Sequence, residues 1–292
     1  MLYPLKFKPL LMERIWGGDA LSRFGKPITP GQKIGETWEI SDRDDAQSVV
    51  INGPLAGRTL RQLLSEDLLG RNCRGAKRFP LLIKLLDSRE RLSLQVHPPA
   101  AVASKLGGEP KTEMWYILDA ATDAHLIAGL KRGVTREQFE RDPAACVHRF
   151  PVHTGDSIFI PSGRVHAIDA GLVIVEIQQN SDTTYRVFDW GRTGRQLHLT
   201  ESLASIDFND FQPPLNPLPI ECEHFRVEKI EVKDSFAGNC DGSSFQVLAC
   251  ITGHIAVGTE QLKPGDFVLL PATLGDYKLT GNGAVLRVSK PV

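Results

Sequence analysis

GDSIFIPSGRVHAIDAGLVIVEI, residues 155–177, and GDFVLLPATLGDYKLTGNGAVLRV, residues 265–288, are the stretches from which the fold is read. Laid together without a gap they match at Gly155/Gly265, Asp156/Asp266, Pro161/Pro271 and Gly171/Gly281. Each match has a physical role: Gly-Asp makes a tight turn into a strand, the proline closes it, and the later glycine opens the next hairpin. Two copies of one strand–turn unit point to a duplicated β-domain.

Outward from these copies, FPLLIKLL (79–86), LSLQVH (92–97), MWYIL (114–118), SIFIPSG (157–163) and LVIVEIQ (172–178) are expected to be strands. They are short, apolar, rich in β-branched residues and bounded by turn formers. Two helices are expected. Thr59 caps LRQLLSEDLLG, which ends at Gly70, and Thr135 caps REQFERD with Gln138 placed for a capping box. Many short strands with few helices predict a mainly β chain, a sandwich or barrel with helical insertions. The run FNDFQPPLNPLPIECEHF (208–225) carries four prolines between Gln212 and Ile220 and reads as a stiff linker. The expected division is an N-terminal unit over 1–212 and a C-terminal one over 213–292.

Composition sets the outer bounds. The 292 residues are 41% hydrophobic and 24% charged, so a sizeable core is expected. The 34 basic and 35 acidic residues give a net charge of −1, which argues against a nucleic-acid partner but leaves room for a small anionic substrate. Five widely spaced cysteines (Cys73, Cys146, Cys222, Cys240, Cys250), none in C-x-x-C, predict reduced thiols in a cytoplasmic protein. Lys6, Lys8 and Glu13 interrupt the N-terminus, and no apolar run is long enough for a signal peptide or a membrane span.

The residues able to hold a metal lie in the first half. In SLQVHPPA, Gln95 and His97 stand two apart, so on a strand both project from one face about 7 Å apart. Glu113 opens the next strand, and His166 follows the turn IPSGRV. An amide oxygen, two imidazoles and a carboxylate suit a divalent ion such as Zn²⁺, with room for a further oxygen ligand. The second copy places Asp276 opposite His166 and has no Gln-x-His before it, so one metal per chain is expected. The order of these residues resembles the two motifs of cupins. The expected fold class is therefore two cupin (jelly-roll) β-barrels, the C-terminal one degenerate.

Further strings carry a narrower resemblance: RIWGG (14–18), GETWEISD (35–42), FPLLIKLLDSRERLSLQVHP (79–98), KTEMWYIL (111–118), GDSIFIPSGRVHAI (155–168) and EIQQNSDTTYRVFDWGR (176–192). Together they resemble the type I phosphomannose isomerases, particularly the short bacterial form. The resemblance implies interconversion of mannose 6-phosphate and fructose 6-phosphate through a metal-stabilised enediolate, with a sugar phosphate as the partner. It places Gln95, His97, Glu113 and His166 on the zinc ligands, Lys111 and Ser93 on substrate contacts, and Arg186 on the catalytic arginine. Arg192 falls where longer members carry a substrate-contacting lysine, a change that keeps charge and alters donor geometry.

Plainer readings stand beside these. Lys111 fits a solvated loop, Arg186 a surface pair with Asp182 or Asp189, and Trp16, Trp38, Trp115 and Glu36 the fold itself. His125, His148, His153, His198, His224 and His254 lack partners at ligand spacing. Two rival functions remain open at this level: an iron-dependent cupin oxygenase, revealed by oxygen uptake, and a sugar-phosphate-binding cupin without turnover.

Overall fold

The computed structural model describes residues 2–292 and is mainly β. In its first two-thirds, two-residue strands apart, run β1 (Leu10–Gly18), β2 (Ile34–Ile40), β3 (Leu81–Ser88), β4 (Leu94–Val96), β5 (Glu113–Ala120) and β6 (His125–Leu130). They are followed by β7 (Val147–Pro151), β8 (Ser157–Ile160), β9 (His166–Ile168), β10 (Leu172–Gln179) and β11 (Tyr185–Phe188). Antiparallel pairing orders them β1-β2-β3-β10-β5-β8 in one sheet and β11-β4-β9-β6-β7 in a second. The two sheets share a core, in which Trp115, Ile117 and Ile174 of the first meet Leu126, Ala128 and Ile168 of the second. They form the two layers of a jelly roll, each hydrogen-bonded separately.

The rest of the chain repeats this order with fewer, longer strands: β12 (Arg226–Cys240), β13 (Gln246–Val257), β14 (Glu260–Leu262), β15 (Phe267–Leu270) and β16 (Gly275–Ser289). Their order is β12-β16-β13-β14, with β15 on β13. Here β12 does the work of β3 and β4, β13 that of β5 and β6, and β16 that of β9 and β10. The correspondence holds to the residue. His166 pairs with Gln95 across β9 and β4, and Asp276 pairs with Asn239 at the equivalent place. By the same register Gln246 occupies the position of Glu113. Asn239 Nδ2 donates to Asp276 Oδ1 at 2.6 Å, and both residues are exposed.

The first sheet is covered on both faces, which explains why FPLLIKLL and LVIVEIQ read as unbroken apolar runs. Leu81, Ile83, Leu85, Met114, Val173 and Val175 pack against Val247, Leu286 and other residues of the C-terminal sheet. The alternate positions point the other way, into the space between the N-terminal layers. Register aligns Trp38, Lys84, Glu176 and Trp115 in one row across β2, β3, β10 and β5, with Glu113 one row along, opposite Gln178. Strand parity alone thus delivers a line of polar side chains to the interior.

The expected strands are all present, within a few residues at their ends. The helix over 136–142 forms as Arg136–Arg141 with the Thr135/Gln138 capping box in place. The one expected after Thr59 is instead two helices, Leu60–Leu63 and Glu66–Leu69. Leu64 leaves helical geometry (ψ 123°), and the Ser65 hydroxyl caps a second start by accepting from Leu68 N–H. A serine that can cap locally outcompetes helix continuation. The proline-rich segment is pinned beside β8: Ser157 Oγ donates to the Asn216 carbonyl at 2.6 Å, and Phe159 N–H to Asn216 Oδ1 at 2.9 Å.

Candidate metal centre and cavity

His97 follows β4, Glu113 begins β5 and His166 begins β9, and all three are buried. Their ligand atoms lie within 4.8 Å of one another. His97 Nε2 is 3.4 Å from Glu113 Oε2, and His166 Nε2 is 3.5 Å from Glu113 Oε1. His97 Nδ1 donates to the Thr183 carbonyl at 2.8 Å and His166 Nδ1 to the Arg164 carbonyl at 2.9 Å. A carbonyl only accepts, so each Nδ1 carries the proton and each Nε2 turns a lone pair inward.

Burial and the Lys111 ammonium push the His97 imidazole down to about 4, and burial lowers His166 too, so both are neutral near pH 7. Burial would raise Glu113. Lys111 and the two imidazoles outweigh it and hold the carboxyl well below its ordinary value. His97 Nε2 and both Glu113 oxygens are buried without a hydrogen-bond partner. Stranding such atoms is costly unless a ligand completes them. An ion about 2.1 Å from tetrahedral ligands separates them by about 3.4 Å, close to the distances found. The residues fit a divalent metal.

Gln95 turns its amide nitrogen to His166 Nε2 at 3.3 Å, while Ser93 Oγ donates to Gln95 Oε1 at 3.3 Å. Half a turn of the amide presents the oxygen instead, and the Ser93 hydroxyl can then accept from the nitrogen. Lys111, far from being solvated, is buried with Nζ 3.0 Å from Glu113 Oε2.

The centre opens into a cavity of about 380 Å³ lined by, among others, Ser93, Gln95, Lys111, His166 and Arg186. The cavity also takes in residues that the sequence reading passed over: Lys84, Glu176 and Arg195, with Glu36, read there as part of the fold. Lys84 Nζ lies 3.0 Å from Glu176 and 3.4 Å from Glu36, and Glu36 further accepts from Arg14 Nε (2.9 Å) and Trp38 Nε1 (2.7 Å). Against the effect of burial, Lys84 and Arg14 bring Glu36 down to about 2, while Glu176 and Glu36 raise Lys84. Arg186 pairs in register with Gln95 and gives Nη1 to the Gln196 carbonyl at 2.8 Å. Arg192 lies on Asp189 (Nη2, 2.7 Å) and is not among the cavity residues.

Comparison with known proteins agrees with this picture. Residues 5–128 match the model of the type I phosphomannose isomerase catalytic domain, and residues 217–290 that of the mannose-6-phosphate isomerase cupin domain. Mannose-6-phosphate isomerase ManA of Bacillus subtilis is 38% identical over 95% of this chain and 96% of its own. The mannose-6-phosphate isomerase of Streptococcus mutans is 34% identical over 97% and 96%. The crystal structure of the mannose 6-phosphate isomerase from Bacillus subtilis superposes with a TM-score of 0.87 at 32% identity, covering 98% of this chain and 99% of that one. A zinc-bound mannose 6-phosphate isomerase shares the fold at 17% identity, with a TM-score of 0.80, over 99% of this chain and all of that one.

Proposed function

The chain belongs to the type I phosphomannose isomerase family, and on that premise we propose that it interconverts mannose 6-phosphate and fructose 6-phosphate in this cavity. One zinc ion per chain is held by Gln95, His97, Glu113 and His166. The observation that carries this reading is the convergence of His97 Nε2 and both Glu113 oxygens, buried and without a hydrogen bond, beside His166, which lines the cavity.

When bound there, the ion supplies positive charge to the sugar oxygens. The protein does the rest. The reaction moves a proton between C1 and C2, and negative charge grows on the attached oxygens. Arg186, in one row with Gln95 and His166, is the catalytic cation placed over that charge. Lys84, held protonated between two carboxylates, contributes fixed charge rather than a basic nitrogen. Lys111 keeps Glu113 ionised and faces substrate, and Ser93 orients the Gln95 amide at the same wall.

We assign catalysis to residues 1–212 and a packing role to 213–292, whose equivalents of the ligand positions are Asn239, Gln246 and Asp276. Five unpaired cysteines suit the cytoplasm. No helix among the described residues is long and apolar enough to cross a membrane.

The decisive experiment removes the metal with chelator, verifies its absence by elemental analysis, and follows ketose formation from mannose 6-phosphate. Activity should vanish and return with one equivalent of zinc. Full activity of the metal-free protein would overturn the proposal. Arg186→Ala should lose turnover while zinc stays near one per chain.

A further inference from the structure

A sugar phosphate brings nearly two negative charges, and the cavity shows where they are awaited. Three of its cations are already matched. Arg14 and Lys84 share Glu36 and Glu176, and Lys111 has Glu113. Asp182, the remaining acid on the wall, is exposed and acts on Lys84.

The far side is unbalanced. Asp189, buried, accepts from Arg192 and from Arg195. Arg186 beside them has no carboxylate of its own among the described residues, and its Nε is buried without a partner. Asp189 and, more distantly, the Glu90 carboxylate 3.9 Å from Arg192 are the acids that three guanidiniums share, so positive charge remains in excess here. Burial and the charges of Arg195 and Arg192 weigh against Arg186's own charge, which an arriving dianion relieves.

Resting on the isomerase reading, we infer that Arg195, braced by Asp189, is the residue that grips the substrate's phosphate, in place of Arg192. Geometry separates the two arginines. Arg192 spends Nε (3.1 Å) and Nη2 (2.7 Å) on Asp189, its Nη1 lies 3.9 Å from Glu90, and it stays outside the cavity. Arg195 holds Asp189 side-on through Nε (2.9 Å) and Nη2, lines the cavity, and leaves Nη1 without a protein partner among the described residues. Gly191 and Gly194 both take left-handed backbone (φ 81° and 89°), which turns this short loop so that both arginines return to one carboxylate. A guanidinium fixed on one edge by an acid and open on the other is preorganised for phosphate oxygens.

The test compares Arg195→Ala, Arg192→Ala and Arg195→Lys, each with its zinc content measured. The probes are a hexitol 6-phosphate, which cannot isomerise, and the same hexitol without phosphate, both titrated by calorimetry and as inhibitors. Arg195→Ala should weaken the phosphorylated probe about 30-fold, the range expected for a lost charged hydrogen bond. It should leave the unphosphorylated probe and the zinc content unchanged. Arg195→Lys should recover part of the loss, and Arg192→Ala should stay within about 3-fold of the parent. If alanine at 195 unfolds the protein, Arg195→Gln, which retains a bond to Asp189, should show the same selective loss. Loss carried by Arg192→Ala, or equal weakening of both probes, overturns the assignment. Because the calorimetry needs no turnover, a wild-type protein that binds the phosphorylated probe yet forms no ketose refutes the isomerase reading and leaves Arg195 still tested.

Discussion

At His97 and His166 the surroundings settle which nitrogen is free, because the Thr183 and Arg164 carbonyls accept from Nδ1. His97→Ala should therefore abolish zinc retention while the far-ultraviolet circular dichroism stays that of the parent. Elemental analysis of the purified variant checks it. Glu36 offers a pH-dependent test. Its folded value of about 2 lies below the ordinary 4.5, so the stability it lends is full above pH 4.5 and is lost as pH falls towards 2. A shift of this size corresponds to about 3 kcal/mol. Glu36→Gln should flatten the fall of unfolding free energy with acid across that window, as measured by urea titration. Part of this chemistry was legible. Gln95 and His97 share a strand face by parity, and Glu113 and His166 sit at strand beginnings. Lys84 and Glu176 were not seen, since each is a lone charge in an apolar run and only register shows that they meet. Arg195 was missed because a loop, not a periodicity, carries it back to Asp189.

Elements show where local rules bind tightly. Gly17 and Gly35 face each other across β1 and β2, and a Cβ at Gly17 would come within 2.3 Å of Gly35 N, one at Gly35 within 2.6 Å of Arg14 Cβ. That close approach explains the glycines of RIWGG and GETWE physically. Gly35→Ala should lower the melting temperature and disturb Arg14, whose bond to Glu36 starts from the same strand pair. Thr135→Ala removes a working capping box and should cost about 1 kcal/mol in chemical denaturation. The strands were readable because turn formers bracket them. The break at Leu64 was not, because apolar spacing carries on through it while the Ser65 hydroxyl works at a range that periodicity ignores.

Across the whole molecule the two units are joined by a shared core and by a buried cation. Lys26 Nζ lies 2.8 Å from Glu39, donates to the Gly265 carbonyl at 2.7 Å and sits 5.5 Å from the centre of the Phe267 ring. Lys26→Met leaves Glu39 buried without its cation, with only the Thr37 hydroxyl still donating to it, and should cost about 3 kcal/mol by urea unfolding. Ending the chain at residue 212 would uncover Leu81, Ile83, Leu85, Val173 and Val175 together. Such a fragment should aggregate on expression, as shown by partition between soluble and pelleted protein.

The alternation along β3 has one more implication. Slipping that strand by a single residue would thrust the Lys84 ammonium into the greasy seam against the C-terminal sheet, away from both its acids, and turn Leu85 towards the sugar. A misthreaded hairpin here would announce itself at once as a stranded charge. The ions that serve the reaction also proofread the assembly of the sheet that carries them.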